Sequence, residues 1–274
     1  MTGPPLARRA FSVLKKEPMT DPRLIDFDSI LNARDFGHYA GAGGKALRRG
    51  KLFRTAHLNK AGDKDLEKLR AMNVGLIVDL RYLSERERQP NKWPAGTDTQ
   101  TLAFDATRTG QAPHEAFMQH DLHKPEDAVA YMMGNYAERP GHKGFQKIFK
   151  NTLSHMTDTG DGILVHCAAG KDRTGTLVAL IQALLGVHED DIMDDYMLTM
   201  RAVDIESLLG PAAEMIGEKF GRTYDPESLR PMFGVREAYL KAALDTMGEP
   251  VIYAREQLDF SMQDIDRLRA HYLD

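Results

Sequence analysis

Cysteine is almost absent from this chain, because Cys167 is the only one among its 274 residues. A single thiol cannot form a disulfide within the chain, and such usage is typical of a reducing compartment. No apolar run approaches the roughly 20 residues of a membrane-spanning helix. The net charge of −4 does not favour a surface for nucleic acid. We therefore expect a cytoplasmic protein with no integral membrane segment and no nucleic-acid partner.

Repeats and low-complexity tracts are also missing, and the 42% of hydrophobic and 28% of charged residues are ordinary for a globular protein. Residues 1–20 carry several basic side chains but no apolar core of a signal peptide. We interpret them as a mobile basic tail, with a weak anchor to an anionic surface as the alternative. Residues 21–274 are expected to form a single domain.

Short apolar runs bounded by turn residues predict buried strands at residues 51–54, 75–80, 99–104 and 162–166. Helical spacing of apolar residues alternates with these runs and then continues alone to the C-terminus. The predicted helices cover residues 63–72, 144–156, 174–185, 190–209, 235–247 and 261–272. Alternating strands and helices predict an α/β fold, with a mostly parallel central sheet flanked by helices and with extra C-terminal helices.

Residues 105–141 form the least regular part of the sequence, with helix-like pieces at 114–122 and 126–136. A long irregular insertion can be a simple surface excursion. It can also be a lid over a binding site, since such insertions often are. Both interpretations stay open.

Cys167 directly follows the predicted strand 162–166, and a buried helix is predicted to begin near Arg173 or Thr174. The amides of such a loop and the first turn of the helix form a site for an anion. The same field, with Lys171 and Arg173 nearby, favours the thiolate form of Cys167. A thiolate at a phosphate site is suited to nucleophilic attack that gives a phosphocysteine intermediate.

Arg173 lies six positions after Cys167 and can bind two phosphoryl oxygens through its planar fork. Thr174 could donate a hydrogen bond to the sulfur, and His166 could orient the loop from behind. Close approach of the backbone would be allowed at the loop glycines. The residues expected to surround the phosphate are Ala168, Ala169, Gly170, Lys171, Thr174 and Gly175.

Other interpretations of Cys167 are an inert buried thiol, a metal ligand or a redox thiol. The fixed offsets of the glycines and charged residues around it make an inert thiol improbable by chance. One cysteine beside one histidine lacks zinc-ligand spacing, and there is no second cysteine to resolve a disulfide. We expect neither a metal nor a cofactor.

The run His-Cys-Ala-Ala-Gly-Lys-Asp-Arg-Thr-Gly at residues 166–175 resembles the Cys-X5-Arg signature of protein tyrosine phosphatases. More narrowly, it is similar to that of the atypical bacterial tyrosine and phosphoinositide phosphatases. Residues 32–37 resemble that family's Asn-X-Arg-Asp-X-Gly-Gly segment, although His38 stands where a second glycine is usual. Further similar segments are residues 52–56, 78–81 with Glu85 after them, and 234–240. The resemblance implies a tyrosine-phosphatase-like fold, no metal, and activity on phosphotyrosine, sometimes phosphoserine or phosphothreonine, and phosphoinositides.

A phosphatase of this kind needs a general acid for the leaving alcohol. The Trp-Pro-Asp loop of the better-known tyrosine phosphatases is not matched, because Ala95 follows Trp93-Pro94. Asp172 resembles the acid proposed for the atypical group, and we favour it. Its alternative role is a carboxylate that braces the loop. Asp105, after the strand at 99–104, is the alternative acid.

The expected substrate is a phosphotyrosine protein, with dual specificity possible in this family. Lys171 adds a second cation to the loop and suggests a phosphoinositide or inositol polyphosphate as the alternative, unless it is merely a solvated lysine that tunes the field of the loop. An inactive phosphate-binding module is a further alternative.

Overall fold

The computed structural model describes residues 21–104, 125–221 and 223–274, without the side chains of residues 219 and 220. The predicted tail at 1–20, the helical piece at 114–122 and the candidate acid Asp105 lie outside the described residues. No described helix has the length and apolar character needed to cross a bilayer.

Five strands form one sheet in the order β1-β2-β5-β3-β4. β1 is antiparallel to β2, and the other neighbouring pairs are parallel. The strands are β1 Arg34–Asp35, β2 Leu52–Thr55, β3 Val74–Asp79, β4 Gln100–Ala103 and β5 Gly162–His166. The predicted α/β fold with a mostly parallel sheet is therefore confirmed. β5 lies between two parallel neighbours, so the residue after it, Cys167, emerges at the middle of the carboxyl edge of the sheet.

Twelve α-helices occur in the described residues and surround this sheet. They are α1 Asp63–Ala71, α2 Leu83–Arg88, α3 Pro125–Glu138, α4 Lys143–Thr159, α5 Asp172–Leu184, α6 Glu189–Met197, α7 Thr199–Ala202, α8 Ile205–Phe220, α9 Pro226–Phe233, α10 Glu237–Met247, α11 Pro250–Leu258 and α12 Met262–Tyr272. Of the extra C-terminal helices, α10, α11 and α12 pack on the main core, whereas α8 belongs to a separate apolar cluster. Tyr239, Leu240 and Ala243 of α10, for example, belong to the same apolar cluster as β5 and α5.

Helix α5 is the central buried helix, as its almost wholly apolar sequence predicts. Leu177, Val178 and Leu180 are among its core residues, and each is at most 1% exposed. Burial of this helix holds its N-terminus directly after the loop that begins at Cys167. The first turn of α5 is thereby fixed at the carboxyl edge of the sheet.

The predicted single helix at residues 190–209 is wrong. The chain instead forms α6, α7 and α8, because Val203 is extended and Asp204 caps a new helix by accepting from the Ser207 amide. The predicted end at residue 209 is also wrong, since α8 continues through Gly210 and Pro211 to Phe220. A proline costs a helix one backbone hydrogen bond. Buried side chains on one face of α8 offset this loss, namely Leu209, Ala212, Ala213 and Ile216.

Part of the irregular segment at 105–141 is described and joins the core. Helix α3 packs against α9 and α10, and it buries Ala128, Met132 and Tyr136. A short 3₁₀ turn, Arg139–Gly141, follows it. The second helix-like piece, predicted at 126–136, is thus confirmed as a helix. Its role as a lid stays a prediction.

Candidate active site

The loop between β5 and α5 is held from outside by its carbonyl groups. The side-chain amide of Asn32 donates to the Ala169 and Gly170 oxygens at 3.1 and 2.9 Å. Arg54 Nη2 donates to the same Gly170 oxygen at 3.0 Å. The backbone N–H of His57 donates to the Ala168 oxygen at 3.1 Å. Three successive carbonyls are therefore engaged on the side of the loop that faces β2 and the segment before β1.

Gly170 is required at the tightest point of the loop. Its φ is +66°, and a Cβ there would lie 2.2 Å from the Thr55 carbonyl oxygen. Gly175, one turn into α5, is also close to its surroundings, because a Cβ would lie 2.9 Å from Tyr196 Cδ2. Both glycines were predicted from the loop pattern, and the first meets a conformational as well as a steric requirement.

Cys167 is 1% exposed and lies at the start of this loop. Arg173 lies in the first turn of α5, and both of its terminal nitrogens donate to Glu85, at 2.5 and 2.9 Å. Nη1 also donates to the Leu80 carbonyl at 3.2 Å, and the guanidinium lies 5.4 Å from the ring centre of Tyr82. Burial alone would lower the pKa of Arg173, but the Glu85 hydrogen bonds and the sulfur of Cys167 raise it above its ordinary value.

His166 is fully buried and directly precedes Cys167. Its Nε2 lies 3.0 Å from the side-chain amide of Asn91 and 3.5 Å from Asp79 Oδ2, and its Nδ1 lies 3.3 Å from the Cys167 carbonyl. Burial lowers the pKa of His166, although the Asp79 charge opposes this shift. A neutral ring can accept from Asn91 through Nε2 and donate to the Cys167 carbonyl through Nδ1. Asp79 itself is held by Arg81 at 2.7 Å.

Asp172 is the first residue of α5, and its side chain is 23% exposed. Oδ1 accepts from the Tyr136 hydroxyl at 2.7 Å and from Lys171 Nζ at 3.2 Å. The Tyr136 oxygen also lies 2.7 Å from the hydroxyl of Tyr196. This carboxylate is accessible and braced at once, so both predicted roles of Asp172 are compatible with its contacts.

Lys171 does not extend into solvent. Its side chain is 7% exposed, and Nζ donates to the carbonyls of Met232 and Gly234 at the end of α9. The alternative of a solvated lysine is therefore wrong. The ammonium group compensates the carbonyls that the end of α9 leaves unpaired.

The remaining predicted residues occupy the same loop and the first turn of α5. Ala169 is exposed and Ala168 is half-buried. The Thr174 hydroxyl is buried and has no hydrogen-bond partner within the described part of the chain. Its bond to the sulfur stays a prediction.

Several residues at the site were not assigned a role from the sequence. Asn32, Arg54 and Glu85 lie in segments that resemble the phosphatase family, which was a usable signal. Tyr136 and Asn91 had no such signal, because their positions next to Asp172 and His166 depend on the tertiary fold.

Cys167 is a buried cysteine at the carboxyl edge of a parallel sheet. It begins a tight loop that leads into a buried helix, and the first turn of that helix carries an arginine. This arrangement defines the class of cysteine-dependent phosphatases. Residues 25–274 match the tyrosine phosphatase family, and the chain belongs to this family. It is accordingly a hydrolase of the phosphatase class, and its substrates are phosphorylated molecules.

Relatives cover most of the chain. A protein of Cupriavidus necator described as a candidate tyrosine-protein phosphatase is 30% identical over 253 residues, which are 91% of this chain and 88% of that protein. The triple specificity protein phosphatase PtpB of Mycobacterium tuberculosis is 31% identical over 231 residues, or 74% of this chain and 83% of that protein. The solved core catalytic domain of the PP-IP phosphatase SIW14 of S. cerevisiae, in complex with citrate, has a TM-score of 0.31 and 15% identity, with 62% and 87% of the two chains covered.

Proposed function

We propose that Cys167 attacks the phosphorus of a phosphate monoester held in the loop of residues 167–173. The carbonyls of Ala168, Ala169 and Gly170 are engaged on the outer side of this loop. That orientation supports a ring of inward N–H groups for the phosphoryl oxygens. The proposal rests on this outward engagement of three successive carbonyls.

In the first step the sulfur forms a bond to phosphorus while the bond from phosphorus to the substrate oxygen breaks. Arg173 would bind two of the phosphoryl oxygens, because Glu85 already holds its guanidinium in one orientation. Asp172 would donate its proton to the leaving oxygen. Its accessibility at the edge of the loop supports this assignment.

In the second step a water molecule attacks the phosphocysteine and the phosphorus–sulfur bond breaks. Asp172, now a carboxylate, would take one proton from this water. The thiolate leaves, and the N-terminus of α5 favours its negative charge. Thr174, whose buried hydroxyl needs an acceptor, would donate to the departing sulfur. Inorganic phosphate and the original thiolate are the products.

For the substrate we favour phosphotyrosine proteins, with dual specificity toward phosphoserine and phosphothreonine. The relatives named as tyrosine-protein and triple specificity protein phosphatases support this choice. A phosphoinositide or inositol polyphosphate is the second candidate. Lys171 gives little support to this candidate, because its ammonium group is engaged by the carbonyls of Met232 and Gly234.

A substrate panel tests the proposal. Wild type and Cys167→Ser are compared on p-nitrophenyl phosphate, on phosphotyrosine and phosphoserine peptides, and on soluble inositol phosphates. We expect wild type to prefer the phosphotyrosine peptide and the variant to fall to background on every substrate. Equal, near-background hydrolysis by both proteins would overturn the proposed reaction and favour an inactive phosphate-binding module. Preference for inositol phosphates would reverse the order of the two candidates.

A further inference from the structure

A buried cluster of three charged residues lies on the outer side of the loop at residues 167–173. Its carboxylate comes from α6, which is not part of the loop. Asp195 of α6 is fully buried and is held by two arginines that are also fully buried. Arg34 Nε contacts Asp195 Oδ1 at 3.1 Å, and Arg54 Nη1 contacts Asp195 Oδ2 at 2.5 Å. Each carboxylate oxygen therefore holds a different guanidinium.

Each of these arginines is connected to the loop by hydrogen bonds, Arg54 directly and Arg34 through Asn32. Arg54 donates directly to the Gly170 carbonyl at 3.0 Å. Arg34 donates to Asn32 Oδ1 at 2.5 Å, which leaves the Asn32 Nδ2 group facing the carbonyls of Ala169 and Gly170. Both chains of hydrogen bonds from Asp195, one through Arg54 and one through Arg34 and Asn32, therefore end at the carbonyl group of Gly170.

The cluster is not neutral. Two guanidinium groups face one carboxylate, and no other described carboxylate is hydrogen-bonded to either Arg34 or Arg54. Burial, followed by the charge of Arg54, lowers the pKa of Arg34 to about 10, so it stays protonated at neutral pH. Burial would raise the pKa of Asp195, but the two arginines lower it. One positive charge remains uncompensated behind the loop.

We propose that Asp195 is a positioning residue for the proposed phosphatase reaction, which acts through Arg54 and through Arg34 and Asn32 to hold the loop carbonyls outward. This inference rests on the proposed phosphate-binding role of the loop. The Asp195 carboxylate binds Arg34 and Arg54 and would act through them rather than on the substrate. Its effect is on the geometry of the groups that bind the oxyanion, and a misplacement of about 1 Å in such groups can cost about 100-fold in rate.

Asp195→Asn separates geometry from charge, because the two predict opposite results. The substitution keeps the size of the side chain but removes a negative charge, so it leaves two buried positive charges uncompensated. If the cluster acted only through its field, an oxyanion would then bind more tightly. If Asp195 acts by position, the Asn32 and Arg54 groups shift, the loop relaxes, and an oxyanion binds more weakly.

The probe is tungstate, an oxyanion shaped like phosphate, with binding followed by titration calorimetry on the full chain. Binding is measured at a temperature where circular dichroism shows each variant to be folded. We expect Asp195→Asn to weaken tungstate binding at least tenfold and to lower kcat/KM on p-nitrophenyl phosphate by about 100-fold. Unchanged or tighter binding would overturn the proposal.

Asp65→Asn is the matched control. Asp65 is a fully buried carboxylate that accepts from the amides of Asp28 and Ser29 and does not contact the loop. We expect it to lower the thermal midpoint without changing tungstate affinity. An equal loss of affinity in Asp65→Asn would show that any weakened fold gives the same effect, and would also overturn the proposal.

Asn32→Gly is the second variant and tests the route through Asn32 if Asp195→Asn does not fold. Glycine tolerates the positive φ of 57° at this position and leaves the net charge unchanged. The substitution removes the donor to the loop carbonyls without adding a charge beside the anion site. We expect weaker tungstate binding, and wild-type affinity would contradict the proposal.

The two proposals can fail separately. A wild-type protein that binds tungstate but hydrolyses no phosphomonoester would end the proposed function, while the affinities of the variants would still test Asp195. Wild type that hydrolyses p-nitrophenyl phosphate but does not bind tungstate would overturn the inference about Asp195 and leave the proposed function standing.

Discussion

Glu85 and Arg173 form a forked ion pair, in which each carboxylate oxygen accepts from a different terminal nitrogen, at 2.5 and 2.9 Å. Glu85 belongs to α2 and Arg173 to α5, so the pair joins two elements on the carboxyl side of the sheet. Both residues are buried. The guanidinium plane is thereby fixed before a substrate binds, which reduces the reorganisation needed in the transition state.

Glu85→Gln should disturb this orientation. The amide nitrogen of glutamine is a donor and faces an Arg173 nitrogen that is also a donor, so one of the two hydrogen bonds is lost. We expect kcat/KM on p-nitrophenyl phosphate to fall by about 100-fold. Glu87→Gln, an exposed position on the same helix, is the control and should keep wild-type activity. If Glu85→Gln is as active as this control, Arg173 does not depend on the pair.

Asp172→Asn distinguishes a general acid from a loop brace. p-Nitrophenolate leaves without a proton, whereas an alkyl or unsubstituted phenyl oxygen needs one. Loss of a general acid should therefore spare the first-step burst of p-nitrophenolate and slow the burst of phenol from phenyl phosphate by about 10²–10⁴-fold, measured in single-turnover experiments that exclude the common second step. Equal losses on both substrates would favour the brace held by Tyr136 and Lys171. In that case Asp105→Asn should show the leaving-group dependence instead.

Gly170→Ala tests the close approach inside the loop. The new Cβ would lie 2.2 Å from the Thr55 oxygen, and the φ of +66° is itself unfavourable for alanine. Gly44→Ala is the matched control, because Gly44 has a φ of +73° and no atom lies within 4 Å of the place that its methyl group would occupy. We expect the control to lose about 1–2 kcal/mol of unfolding free energy from the backbone alone. Gly170→Ala should lose more and should also lose tungstate binding, as followed by urea unfolding and calorimetry. Equal stability of the two variants would refute the steric argument.

His57 should make the fold sensitive to mild acid. Burial, followed by the charges of Arg81, Lys60 and His166, lowers the pKa of His57 from 6.5 to about 4. Between these values the unfolded chain binds a proton that the folded chain does not, so the free energy of unfolding should fall as the pH falls from 6.5 to 4. His57→Gln should give a shallower slope in urea unfolding across this window. An unchanged slope would show that His57 is not responsible for the acid sensitivity.

Strands β2, β3, β4 and β5 and the central helix α5 could be predicted to within two residues. β3, β5 and α5 have continuous apolar runs, which is how buried parallel strands and a buried helix differ from their surroundings. The burial predicted for the strand at 99–104 is wrong, because β4 lies at the edge of the sheet and its residues are exposed or half-buried. β1, Arg34–Asp35, could not be predicted, because two polar residues contain no periodicity. Helices α9 and α11 were missed although they begin at Pro226 and Pro250, each after an acidic residue that caps the helix.

The loop residues were predictable because they are neighbours in the chain. The position of Lys171 in the loop follows from the sequence. The direction of its side chain does not, because it depends on Met232 and Gly234, which are distant in sequence. The same holds for Asp195, which is brought behind the loop only by the packing of α6. Contacts of this kind are set by tertiary packing, and a single sequence does not reveal them.

A phosphoryl group on Cys167 is the most direct test of the account. Wild-type protein is mixed with p-nitrophenyl phosphate, quenched in acid within milliseconds and digested, and the peptide that contains Cys167 is examined by mass spectrometry. We predict a mass increase of one phosphoryl group on that peptide, located at the sulfur and absent from Cys167→Ser. Turnover of the substrate without this adduct, or with the phosphoryl group on another residue, would contradict the central claim.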